Sequence, residues 1–295
     1  MKHLSSGYCR RPLSPERLAA VTRILALVAC VAVAHLGLAS GQSTPQEMSA
    51  APVSSTAGHA VVVELFTSQG CASCPPADRL LASLGEESAG RVVPLSFHVD
   101  FWNSLGWKDP FSKHAWTERQ AAYARALRLG QVYTPQAVVD GRAEMVGSDG
   151  ERLRSAIAVA ASRPAADISL SLEPSASRVL VRAEVGLPEA LRGRRLELMV
   201  ALFETGLVTE VGRGENGGHT LKNDYVVRDL RRAGKLSPRG PERTEHTAEL
   251  SLEREWNPSR LGVAVFLQDP GSLEIYGGSS RLLAGPVKPA AGGGR

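Results

Sequence analysis

The sequence predicts an α/β domain over residues 59–163, followed by a mainly antiparallel, β-sandwich-like domain over residues 164–288. Two observations carry this reading. From His59 to Ser162, strand-like and helix-like segments alternate, as crossover connections between parallel strands require. After Arg163 the character changes to short alternating or β-branched runs between Pro and Gly turns, the spacing of an antiparallel sandwich.

In the first part, residues 60–66 (AVVVELF) form a continuous apolar, β-branched run suited to a buried strand, residues 78–84 read as helix, and residues 92–99 as a second strand. Residues 116–129 have helix-forming composition. Residues 136–140 make a third strand that turns at Asp140-Gly141, residues 143–146 pair with it, and residues 150–162 close the unit as a helix. In the second part, strands are expected at 168–172, 178–185, 196–203, 247–252 and 261–268, with the boundary near Arg163-Pro164. Residues 289–295 read as a disordered tail.

The 295 residues hold 34 Lys and Arg against 30 Asp and Glu, a formal net charge of +4. The excess is local: residues 1–40 carry Lys2, Arg10, Arg11, Arg17 and Arg23 against Glu16, which leaves 29 basic and 29 acidic residues in the rest. A neutral body lacks the basic face that phosphate recognition needs, so nucleic acid is not an expected partner. The basic stretch leads into the apolar run 24–39 and then into small residues around Ala39, Ser40 and Gly41, the pattern of a secretory signal peptide over residues 1–40. An uncleaved N-terminal anchor and a lipoprotein processed at Cys30 are the alternatives. The run is short of the about 20 residues a membrane span requires, so none is expected after cleavage. Residues 41–58 form a flexible linker, and the product is expected to be exported, as a periplasmic or secreted bacterial protein.

Export removes Cys9 and Cys30 and leaves Cys71 and Cys74, spaced Cys-x-x-Cys. A chain of this length does not need a single staple to build a core, so the pair calls for a chemical explanation. It lies where a buried strand ends and a helix begins. A helix N-terminus stabilises a thiolate and can lower Cys-x-x-Cys pKa values to roughly 3.5–7, against about 8.5 for free cysteine. Cys71, nearer the loop, is the expected nucleophile and Cys74 the resolving thiol. Pro75 and Pro76 fit only a first helical turn.

Three further features belong with the pair. Thr134-Pro135 places a proline at the opening of the third strand, a positionally meaningful site. Glu64, flanked by Val62, Val63, Leu65 and Phe66, is expected to lie buried under the dithiol and to exchange protons with Cys74. Most aromatics between residues 97 and 133 read as core, but Trp102 and Trp107 lie in a polar loop (DFWNSLGWKDP) and make a candidate apolar platform for a client protein.

The stretches FTSQGCASCPPAD, SFHVDFWNSLGWKDPF and YTPQAVVDG resemble exported proteins of domain-of-unknown-function family 1223, a branch of the thioredoxin superfamily. The resemblance is strong over residues 60–150 and weak at GRGENGGHTLKNDYVVRDL. It implies a thioredoxin-like fold for residues 59–163 and a thiol-disulfide role. In such folds the proline follows a cis peptide bond and lies against the dithiol, which leaves the backbone of Thr134 free to pair with a bound peptide. The dipeptide between the cysteines, Ala72-Ser73, differs from the Gly-Pro of thioredoxin itself and leaves the redox direction open.

The preferred reading is thus thiol-disulfide exchange with protein thiols or disulfides, which calls for no cofactor. One alternative is a copper or zinc carrier using both cysteines with His98 or His114, and Asp100 as a further donor. Another is a redox-inert recognition module with a structural pair. Gly212-x-Gly214-x-x-Gly217 matches a dinucleotide fingerprint in form only, since no apolar helix follows, and reads as a glycine-rich surface loop. Arg228, Arg231, Arg232 and Lys235 read as a solvated face.

Overall fold

The computed structural model describes residues 59–283, so the expected signal peptide (1–40), linker (41–58) and tail (289–295) lie outside the described residues. The first half contains β1 (Val61–Thr67), α1 (Pro75–Glu87), β2 (Val92–His98), α2 (His114–Ala126), β3 (Gln136–Val139), β4 (Ala143–Val146) and α3 (Gly150–Ala161). The second contains β5 (Asp167–Pro174), β6 (Arg178–Gly186), β7 (Leu196–Glu204), β8 (Leu207–Glu210), β9 (Thr220–Asn223), β10 (Val226–Leu236), β11 (Arg243–Ser251), β12 (Leu261–Gln268) and β13 (Ile275–Leu282).

Local chemistry explains the element ends in the first half. β1 is buried on both faces, which is why it reads as an unbroken apolar run. Pro75 and Pro76 occupy the first two positions of α1, where backbone N–H groups have no intrahelical partner and a missing donor costs nothing. Asp140 and Gly141, with φ of 45° and 66°, make the tight turn between β3 and β4. The Asp149 side chain caps α3 by accepting from the Arg152 N–H at 3.1 Å.

The expected fold class, an α/β thioredoxin-like domain followed by a separate sandwich-like domain, is corrected by the structure. The described residues form a mostly β molecule with three α-helices. One eight-stranded mixed sheet, in the order β13-β12-β7-β10-β2-β1-β3-β4, takes strands from both halves. β5, β6 and β11 form a second, three-stranded sheet, and β8 and β9 a two-stranded hairpin. The element responsible is β10, which pairs antiparallel with β7 along most of its length and meets β2 in parallel at Val226 and Ser96, with the Ser96 N–H donating to the Tyr225 carbonyl at 2.8 Å. Its basic residues hid it as a strand.

Strand alternation assigns each face of the large sheet. Val62 and Phe66 of β1, Phe97 of β2, Phe203 of β7 and Phe266 of β12 gather on one face around Trp116 and Tyr123 of α2. On the other face, α1 and α3 set Leu81 and Leu153 against Val63 and Leu65 of β1 and Met145 of β4. The three-stranded sheet covers the rest of that face, with Val181, Val185 and Leu250 on Leu198, Leu202 and Val265. Each fully buried side chain of this kind contributes about 1.5–3 kcal/mol. β13 returns toward β1, joined by a bridge between Ala60 and Gly278 and by the Ile275 N–H donating to the Asp140 carbonyl at 2.8 Å.

Candidate functional site

Cys71 and Cys74 form a disulfide, with Cα atoms 5.5 Å apart, between the end of β1 and the start of α1. Cys74 is the N-cap residue: its carbonyl accepts from the N–H groups of Ala77 and Asp78 at 2.9 and 3.1 Å. The turn is held by the Cys71 N–H on the Ser68 carbonyl and the Cys74 N–H on the Cys71 carbonyl, both at 3.2 Å, and the Ser73 hydroxyl lies 3.3 Å from the Cys71 sulfur. Both cysteines are fully buried, whereas Ala72 and Ser73 between them are exposed. Once reduced, thiolates here face the positive end of a 13-residue helix.

Thr134-Pro135 is a cis peptide bond. Gly147 locates the proline: a Cβ there would lie 3.2 Å from the Ala77 Cβ and 3.3 Å from the Pro135 Cβ, so Pro135 and the first turn of α1 meet across a residue that must be small. Trp102 completes this side, its indole N–H donating to the Thr134 hydroxyl at 2.8 Å while its Cβ backs onto Gly70. Thr134, Pro135 and Trp102 are therefore brought to the neighbourhood of the cysteine turn, through Gly70 and Gly147. Trp107 reaches the turn through Gln69, its indole N–H donating to the Gln69 Oε1 at 3.1 Å and its side chain packed on Gly212 and Gly214. At Gly214, φ is 79° and a Cβ would lie 3.1 Å from the Trp107 Cβ, so glycine is required.

Glu64 is not brought to the dithiol. It shares a strand face with Val62 and Phe66, toward α2, while α1 packs on the opposite face. There it is fully buried, 2.7 Å from the Arg119 guanidinium and hydrogen-bonded by the Tyr123 hydroxyl. Gln268 of β12 donates to the same hydroxyl at 3.0 Å. Burial opposes the charge on Arg119, but the Glu64 carboxylate raises its pKa further.

The buried acid near the cysteines is Asp78, four residues after Cys74 on the same helix face and leaning back toward the helix start. Burial pushes its pKa up to about 6, opposed by His98 and assisted by Asp109. His98 lies across from Thr67 in the β1–β2 register, and its Nδ1 stands 2.7 Å from the Asp109 Oδ2. Burial works against a charge on His98, but Asp109 raises its pKa above the ordinary histidine value. Asp109 is held low despite its own burial, by His98 and by the N–H groups of Gln69 and Phe111 that its carboxylate accepts at 2.8 and 2.9 Å. Thr67 Oγ1, Asp78 Oδ1 and His98 Nε2 have no hydrogen-bond partner, an unusual concentration of unmet polar groups beside a disulfide. His114 is exposed, on Asp100 at 3.1 Å and Glu118 at 3.8 Å. Among the described residues no group of three or more His, Cys, Asp or Glu side chains is arranged to hold a metal ion.

The loop between β8 and β9 reaches the same turn. Glu215 Oε2 accepts from the Ala72 N–H at 2.9 Å, and Asn216 Nδ2 donates to the carbonyls of Gln69 and Cys71 at 2.9 and 3.0 Å. At the hairpin base the Gln69 amide donates to Thr209 and Asn223 at 3.0 and 2.8 Å, and Asn223 donates in turn to Asp78 at 3.4 Å. Sequence reasoning missed Asp78, Asp109, Glu215 and Asn216. For Asp78 a signal was present, since the Cys74 to Asp78 spacing puts both on one helix face. For Glu215 and Asn216 nothing in the local sequence points 143 and 145 residues back.

Fold and site define a mostly β protein whose large mixed sheet carries a disulfide turn at a helix start, covered by a hairpin loop from the second half. The chain belongs to the family described as "Protein of unknown function (DUF1223)", which matches residues 62–268. A solved protein from Agrobacterium tumefaciens is similar at 30% identity, covering 76% of this chain and 94% of its own, with a TM-score of 0.59. HBP35 of Porphyromonas gingivalis shares the fold at 15% identity, with a TM-score of 0.57 over 77% of this chain and 76% of its own. No curated protein matches this chain.

Proposed function

We propose that this protein is an exported thiol-disulfide exchange protein acting on protein thiols or disulfides through Cys71 and Cys74. The observation that carries the reading is a Cys-x-x-Cys disulfide at the N-cap of a helix, with a cis-proline against the first helical turn. Asp78, with its pKa near 6, supports it as a proton acceptor and donor for Cys74. The basic segment and apolar run of residues 1–40 support export.

In the exchange, a client thiolate attacks the Cys71 sulfur, the Cys71–Cys74 bond breaks, and Cys74 departs as a thiolate that takes a proton from Asp78. A second client thiolate then attacks the client sulfur of the mixed disulfide and releases Cys71. Two electrons pass from the client to the pair, a client disulfide forms, and the reverse sequence returns them. Helix-end stabilisation of the thiolates sets which direction dominates.

The test is a redox titration against glutathione buffers, together with thiol trapping by Cys74→Ser and Cys71→Ser chains incubated with a cysteine-containing peptide. Reversible cycling and a mixed disulfide on Cys71 alone are expected. A pair that stays oxidised in dithiothreitol while the chain is native, with neither variant trapping peptide, makes it a structural cross-link and ends the proposal.

A further inference from the structure

The disulfide lies at a surface turn whose two central residues are exposed, yet neither cysteine is. The cover includes the loop of residues 211–219. Between Gly212 and Thr220 every residue is exposed except Asn216, which is 6% exposed and inserted like a peg. A polar side chain at the tip of an exposed, glycine-rich loop is placed inward only if specific partners receive it. Those partners are main-chain groups of the cysteine turn: the carbonyls of Gln69 and Cys71 take the Asn216 amide, and the Ala72 N–H gives to Glu215.

These bonds have the polarity of a passing polypeptide. One loop residue gives N–H groups to two carbonyls, and its neighbour gives an oxygen to the N–H between the cysteines. An extended client presents the same donors and acceptors from its backbone. The loop also holds its own shape. Its own bonds, Gly217 N–H to the Gly214 carbonyl at 3.0 Å, Gly218 N–H to the Val211 carbonyl at 2.7 Å and His219 N–H to the Asn216 carbonyl at 3.1 Å, do not involve the cysteine turn. Its parent strands, β8 and β9, pair with each other and not with the large sheet.

We propose that residues 211–219 are an intramolecular plug that occupies the client's main-chain position over Cys71 and Cys74 and controls access to their disulfide. The client part of this rests on the exchange reading above; the access part does not. Withdrawal of Asn216 frees two carbonyls of the turn for an incoming backbone, and release of Glu215 frees the Ala72 N–H beside the attacked sulfur.

The experiment measures the rate at which dithiothreitol reduces the disulfide in the native full chain, for wild type, Asn216→Ala and Glu215→Ala. Dithiothreitol supplies both electrons and closes to its cyclic disulfide, leaving two protein thiols. Loss of two hydrogen bonds should speed reduction about 10- to 100-fold in Asn216→Ala, and loss of one should speed it about 3- to 10-fold in Glu215→Ala. Glu215 is exposed, so its variant is readable even where Asn216→Ala does not fold. Unchanged rates in a natively folded variant overturn the plug and leave the exchange reading standing. Faster reduction without a mixed disulfide on a cysteine peptide in any form keeps the plug and removes the exchange reading.

Discussion

Replacing Asp78 by Asn should stabilise the oxidised protein at neutral pH and do little in acid. The Asp78 pKa rises from 3.8 to about 6 on folding, chiefly through burial. A carboxyl whose folded pKa is raised binds its proton more tightly when folded. Its contribution is therefore fully present below pH 3.8 and is lost as pH rises toward 6. At about 1.4 kcal/mol for each pH unit between the two values, ionised Asp78 costs the fold about 3 kcal/mol at pH 7 and well under about 1 kcal/mol at pH 4. Asn removes that cost, keeps an oxygen for the Asn223 amide, and offers an N–H to the unpartnered Thr67 hydroxyl. Urea unfolding of both chains at pH 4 and pH 7 reads the effect as a difference of differences, in which the other titrating groups largely cancel. A gain of the same size at both values, or none at pH 7, would refute the burial argument and with it Asp78 as a proton store.

The neighbouring groups give further expectations. His98→Asn keeps a donor toward Asp109 but loses the charge. The His98 pKa is raised, so the charged pair stabilises fully below pH 6.5 and fades as pH climbs through the raised value. The variant's loss of stability should then be larger at pH 6 than at pH 9 in urea unfolding. Arg119→Met strands the fully buried Glu64 without its cation and should cost about 3–5 kcal/mol. Most of that loss should return in the Arg119→Met, Glu64→Gln double variant, measured by thermal or urea unfolding.

Local patterns in the sequence were faithful, and long-range pairing was the part they did not hold. The strand 143–146 and the strand 261–268 were legible residue for residue, because Pro, Gly and Asp turns bracket their runs. α1 begins three residues before the expected start because the proline pair opens it instead of preceding it. β10 was invisible: Arg231, Arg232 and Lys235 are exposed, as their run suggests, but the run is a strand, with Arg228 paired to Glu204 at 2.7 Å and Arg232 to Glu197 at 3.0 Å on the neighbouring strand β7. Missing that strand split one sheet into two domains on paper. The cysteine turn and cis-proline were legible from spacing and from the family resemblance. Glu64 was misplaced because apolar flanking residues show that a strand residue is buried, but not on which face. Glu215 and Asn216 reach the turn through tertiary contact alone.

The large sheet also has little free border. One outer strand, β4, is four residues long, and the other, β13, comes round to meet β1 at Ala60 and Gly278. Unpaired strand borders are templates on which further chains add, the first step toward fibres. Here one end of the ribbon curls onto an inner strand, so that border offers a second molecule less free main chain to extend. Topology blunts self-assembly in this part of the fold, without needing a row of border lysines to do it.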